Sequence, residues 1–294
     1  MRMRTVIVIV LTVAATASGC GGSATAKGKL DVVAAENVYG NIAAQIGGSH
    51  VSVTSILTDP NADPHLFEPG TSNGLAVAKA KVVLQNGLGY DAFMTKLENA
   101  APSGSRRVVT IADVLGVHGK DANPHLWYDV PALGRIAGAI AAAFERADPR
   151  RSSAYRAGLA RFDRSLGPLR REVATIRSRF RNAPIAYTEP VPGYLVIAAG
   201  LRNLAPASFT RSIEDGSEPS PAGVAAMHAL IAHHSIRALL YNSQAVSPIT
   251  ARLRAAARSA GISIVPVSET LPPGLTFQQW QLRQARALAA ALTG

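Results

Sequence analysis

The chain has 294 residues, enough for two domains, because single cores stop growing near this size. Hydrophobic residues make up 48% and charged ones only 17%, which excludes a disordered chain. The formal net charge is +11, but aromatics are only 5% and the arginines spread over apparent helix faces such as 150–182, so no nucleic-acid partner is expected. Those faces read as solvated surface, suited to lying beside an anionic membrane.

Arg2 and Arg4 precede a short apolar run over 6–15, too short to span a bilayer. Ala17-Ser18-Gly19-Cys20 follows, and Cys20 is the only cysteine. The pattern resembles a bacterial lipoprotein signal over 1–19. That implies export, lipidation of Cys20 and anchoring to the outer face of the cytoplasmic membrane. An unpaired cysteine in an exported chain is then accounted for. The mature chain holds no thiolate for a metal. Residues 20–29, rich in Gly, Ser and Ala, read as a flexible tether.

From residue 30 onward, short β-rich runs alternate with helical patterns. Strands are expected at 32–35, 51–57, 82–85 and 108–111, with helices near 38–47, 72–80, 90–99 and 131–147. Strict alternation implies a mostly parallel sheet covered on both faces. Asp148-Pro149 opens a helical stretch with one apolar face: Tyr155, Leu159, Phe162, Leu166, Leu169, Val173 and Ile176. One long rigid helix over 149–182 is expected, with Gly167-Pro168 as the place for a kink or a break. A second alternating half follows over 183–294. It has strands at 185–188, 238–241 and 262–267, an extended piece at 202–208, and helices near 193–199, 220–234, 248–259 and 277–292. The fold class is thus α/β: an N-terminal lobe over 30–148, a linking helix, and a C-terminal lobe.

Two turns of the N-terminal half are built alike: Asp63-Pro64-His65-Leu66-Phe67-Glu68 and Asn123-Pro124-His125-Leu126-Trp127-Tyr128-Asp129. Proline fixes φ and stiffens the bend from which each imidazole leaves. Two such histidines suggest convergent ligands for one divalent metal. Ligands of open parallel sheets bind outside the carboxyl ends of the strands. In the second half, Glu189 and Glu269 occupy such strand ends, with Asp215 and Glu218 as alternative acids. Taken singly, each of these residues could be a hydrogen-bonded structural histidine, a helix cap or a surface charge. Two imidazoles exclude a calcium site, and the absent thiolate weakens a structural zinc site. His228, His233 and His234 lie near a helix end, and they read as surface residues, as do His50 and His118.

At these residues the chain resembles the metal-binding lipoprotein receptors of bacterial zinc and manganese ABC importers, the cluster A-I solute-binding proteins. The likeness runs over roughly 30–292. It includes the two Pro-His turns, Asn86-Gly87-Leu88-Gly89, the long Asp-Pro helix from 148, and Glu218-Pro219-Ser220. The resemblance implies two lobes joined by one rigid helix, with the metal held between them by His65, His125, Glu189 and Glu269. The third position, Glu189, is histidine in many zinc receptors and glutamate in many manganese ones. The chain departs from the family at Pro190 and Pro192, which replace small and aromatic residues, and it lacks a His- and acid-rich loop between 112 and 122.

The implied function is capture of a divalent transition metal and its delivery to an ABC permease in the cytoplasmic membrane, by a monomer. A second carboxylate makes the donor set harder, which favours Mn2+, then Zn2+, with Fe2+ also accommodated. One alternative is a metal-dependent hydrolase, for which neither HExxH nor G-x-S-x-G is present. The other is a surface adhesion lipoprotein whose metal is a structural clip.

Overall fold

The computed structural model describes residues 28–60 and 67–293. The leader, Cys20 and the first Pro-His turn with His65 lie outside the described residues.

The first half runs β1 (Leu30–Glu36), α1 (Asn37–Gly47), β2 (Val51–Leu57), α2 (Thr71–Lys79), β3 (Val82–Gln85), α3 (Phe93–Ala100), β4 (Arg107–Thr110), α4 (Ile111–Leu115) and α5 (Leu133–Ala147). Next come α6 (Ser152–Ser165) and α7 (Gly167–Arg179). The second half runs β5 (Pro184–Tyr187), α8 (Gly193–Ala198), β6 (Arg202–Asn203), α9 (Ala207–Glu214), α10 (Pro221–Ala232), β7 (Ala238–Asn242), α11 (Pro248–Ser259), β8 (Ser263–Val267) and α12 (Phe277–Thr293).

Each half builds one parallel four-stranded sheet, ordered β2-β1-β3-β4 and β6-β5-β7-β8. The apolar runs of β1 and β7 are buried on both faces because helices cover both sides, as parallel sheets require. The strand at the edge, β2, exposes Ser52 and Thr54. In both sheets the order reverses between the first and third strands, so the crevice at their carboxyl ends is the topological switch point. Local signals set several helix starts. Ser220 caps α10 through Gly223 N at 3.2 Å, and Ser247 with Thr250 forms a capping box at α11, each followed by proline in the first turn.

Between the sheets the expected single helix is interrupted. Pro149–Arg151 forms a 3-10 turn, and α6 and α7 are separated by Leu166, which keeps a right-handed conformation. Pro168 explains the break, since it offers no N–H and its ring crowds the carbonyl four residues earlier. The predicted apolar face nonetheless turns to the core: Tyr155, Phe162, Leu166, Leu169, Val173 and Ile176 are buried, and Leu159 is half-buried against it. A second difference lies at 202–214, where only two residues are extended and α9 follows, its Phe209 fully buried.

The halves share one hydrophobic core, which runs from Leu30 to Leu292; a smaller cluster around Phe209, Met227 and Leu253 fills the outer side of the second sheet. The last element is stitched to the first half. Asn37 exchanges two 2.9 Å hydrogen bonds with the Leu271 backbone, Phe277 N donates to Asn41 Oδ1 at 2.9 Å, and Gln278 pairs with Gln45 on α1.

Glu36 ends β1 fully buried, close to Asp91, which accepts from Asn86 N at 2.5 Å and Gly87 N at 2.9 Å. Burial first, and the Asp91 charge second, push the Glu36 carboxyl well above its ordinary range; burial raises Asp91 too. Folded protein therefore binds more protons than unfolded protein between the two pKa values, and stability falls as pH rises through that window. Glu36→Gln is expected to raise the melting temperature of metal-free protein at pH 8, with the gain shrinking as pH falls to about 4.5. A thermal shift equal at both pH values would contradict this account.

Candidate metal centre

The second Pro-His turn shows how local sequence aims an imidazole. Asn123 Nδ2 donates to Pro190 O at 2.7 Å, which fixes the orientation of the amide because a carbonyl can only accept. Asn123 Oδ1 then accepts from His125 N at 3.0 Å and faces His125 Nδ1 at 2.8 Å. An amide oxygen cannot donate, so Nδ1 carries a hydrogen and Nε2 is the nitrogen turned toward the acids. Asn86, at the end of β3, holds the same turn by donating to Pro124 O at 2.8 Å. Tyr90 and Trp127 stand edge-on to the imidazole, with centroids 5.7 and 5.4 Å away. His125 is completely buried.

His125 Nε2 looks across the seam between the halves. It lies 3.1 Å from Glu269 Oε2 and 3.8 Å from Glu214 Oε1. A nitrogen lone pair facing a carboxylate oxygen is repulsive, so the shorter contact needs a proton or a cation between the two atoms. Tyr90 also donates to Glu269 Oε2, at 2.9 Å. Burial, then the charge of Glu269, hold that phenol well above its ordinary range, so it stays a donor.

Strand-end chemistry places the acids. Glu189 follows β5 by two residues, and Glu269 follows β8 by two; each is 1% exposed. Gln244 fixes the Glu269 loop by accepting from Glu269 N at 2.6 Å and Thr270 N at 3.1 Å. Asn242, the last residue of β7, accepts from Gln244 N at 3.1 Å, so its Nδ2 turns to the acids. It donates to Glu269 Oε1 at 2.8 Å and to Glu189 Oε2.

Of the residues expected to converge, the structure thus brings His125, Glu189 and Glu269 together, with Asn242 joining the two acids. His65 lies outside the described residues. Among the described residues, no three His, Cys, Asp or Glu side chains are already gathered tightly enough to hold an ion. The acids considered as substitutes differ in place: Asp215 lines the adjoining cavity of about 710 Å³, while Glu218 is exposed. His118, His233 and His234 are exposed, as expected; His228 is half-buried, and so is His50, which stacks edge-on against Tyr155. Sequence reasoning missed Asn242, Tyr90 and Glu214. Asn242 also stands at a strand end, but a neutral amide is a weak metal ligand and gives no donor signal of its own.

Residues 32–291 match the ZnuA family, described as zinc-uptake complex component A, periplasmic. The chain belongs to this family. The manganese-binding lipoprotein MntA of Bacillus subtilis (strain 168) is 28% identical over 178 residues, which is 56% of this chain and 58% of that relative, so the chain spans little more than half its length. The manganese ABC transporter substrate-binding lipoprotein scaA of Streptococcus gordonii is 26% identical over 225 residues, 71% of this chain and 70% of the relative. In fold, the periplasmic zinc-binding protein TroA of Treponema pallidum superposes with a TM-score of 0.74 at 20% identity, covering 90% of this chain and 99% of that one. By their names these relatives are metal-binding proteins, not enzymes, and scaA is the substrate-binding lipoprotein of a manganese ABC transporter. The carbonyl of Pro190 holds this turn by receiving Asn123 Nδ2 at 2.7 Å and Gly193 N at 2.9 Å. A Cβ on Gly193 would sit 2.8 Å from Asn123 Nδ2, so any larger residue there would displace the amide that orients His125.

Asn242→Ala is expected to lower the unfolding free energy of metal-free protein by about 1–3 kcal/mol, since two buried carboxylates lose their shared donor. Denaturant titration checks it, and an unchanged midpoint would count against the bridging role.

Proposed function

We propose that this chain is the extracytoplasmic solute-binding component of an ABC importer that captures a divalent transition metal between its lobes, with Mn2+ favoured and Zn2+ next. The observation that carries this reading is the His125 Nε2–Glu269 approach: an imidazole aimed by Asn123 at a buried carboxylate from the opposite lobe. His65, His125, Glu189 and Glu269 are the proposed donors. Their mixture of imidazole and carboxylate suits a transition metal of intermediate hardness. The two acid charges neutralise a divalent cation in a site too dry for an unpaired ion. Lipidated Cys20 holds the monomer at the outer face of the cytoplasmic membrane, where a permease receives the cargo. No helix of the described residues is long and apolar enough to cross a membrane. The names of the relatives, manganese-binding and zinc-binding, support a metal cargo and leave the choice of ion to the donors.

Metal binding displaces protons from the imidazoles, so affinity falls with pH. Calorimetry is expected to show Mn2+ binding weaker by at least about tenfold at pH 5 than at pH 7.5, because free histidine titrates near about 6.5. His125→Ala is expected to abolish tight binding, and Glu189→His to shift preference toward zinc. Elemental analysis of protein purified without added metal identifies the ion carried. Equal affinity at both pH values would remove the histidines from the site.

A further inference from the structure

We propose that Glu214 is a fifth donor to the cargo metal, one that tilts the site toward a hard, higher-coordinate cation such as Mn2+ and away from Zn2+. This rests on the reading that His125 and Glu269 hold the cargo. Glu214 Oε1 stands 3.8 Å from His125 Nε2, the same atom that Glu269 approaches at 3.1 Å, and its side chain is only 11% exposed. Metal–ligand bonds of about 2.1 Å let two donors on one ion lie up to about 4.2 Å apart, so both acids are within reach of an ion bound at Nε2.

The electrostatics of its position point the same way. Glu214 is the last residue of α9, where the helix dipole already presents negative charge, and Asp215 follows it. Glu269 approaches the same imidazole nitrogen. Arg211, the basic residue of that last turn, is engaged by Asp121 across the mouth of the cavity. An acid set against both a helix C-terminus and a second carboxylate is favourable when a cation lies between them. Glu214 also lines the cavity of about 710 Å³ beside the centre, with Asp121 and Asp215, and of these three it is the one that approaches His125 Nε2. Zinc is satisfied by four ligands, whereas manganese accepts additional oxygens; the extra carboxylate therefore discriminates between them.

The test compares Glu214→Gln, Asp215→Asn and His125→Ala with the parent protein, using Mn2+ and Zn2+ titrations and the visible spectrum of the Co2+ form. Glu214→Gln is expected to weaken Mn2+ by at least about tenfold more than Zn2+, since it removes an oxygen ligand that only manganese needs. Its cobalt bands should intensify as coordination number falls, while Asp215→Asn, the matched loss of a neighbouring charge, changes neither. Equal losses for both metals, or an unchanged cobalt spectrum, would overturn the role of Glu214. If His125→Ala still bound both ions tightly, the underlying metal-centre reading would fall; if only the Glu214 results failed, it would stand.

Discussion

Two glutamates buried at the seam between the halves, each 1% exposed, impose the constraint from which the rest of the centre follows. Buried carboxylates are costly unless their charge is met by donors or cations. Here the interactions close into a ring. Glu189 is joined by Asn242 to Glu269, Glu269 meets His125, and His125 is oriented by Asn123. Asn123 is in turn held by the carbonyl of Pro190, the residue next to Glu189. Every amide in the ring has its orientation set by a partner that can only donate or only accept. A network closed in this way has one arrangement and few alternatives.

Such a ring works only on a platform that keeps the two halves in register. The shared core supplies it, because a domain with its own separate core would be free to swing about a linker. The hydrogen bonds from Asn37, Asn41 and Gln45 to the segment 271–278 add polar registration along the same seam. The donors themselves sit on loops at strand ends, the parts of an α/β fold with most freedom to adjust. A stiff seam with adjustable loops favours small local rearrangement around the centre over a wide hinge motion.

Most of this architecture was legible because strands and helices alternate with clear apolar runs, and because two parallel sheets leave few topologies open. Helices near 38–47, 248–259 and 277–292 fall where the pattern put them. Short elements were less legible. In α9 only Phe209 and Ile213 mark a helical face, too little periodicity to announce a helix. With that helix went Glu214, an acid at a helix end instead of a strand end. The break at Leu166 was visible in Gly167-Pro168, since a proline without a donor weakens any helix that continues through it.

The two halves also use one device for different ends. The third strand of each half, β3 and β7, is followed or ended by an asparagine at the switch point: Asn86 and Asn242. An asparagine amide both accepts and donates in fixed directions, so it can lock a loop while satisfying a second group. Asn86 accepts from Tyr39 at 2.6 Å and donates to Pro124 O, anchoring the turn that carries His125. Asn242 accepts from Gln244 N and donates to both glutamates. One half thus uses its amide to aim an imidazole, the other to restrain two charges. Neither residue titrates or acts as a strong ligand. Yet the position of every described donor in the ring depends on one of these amides or on Asn123.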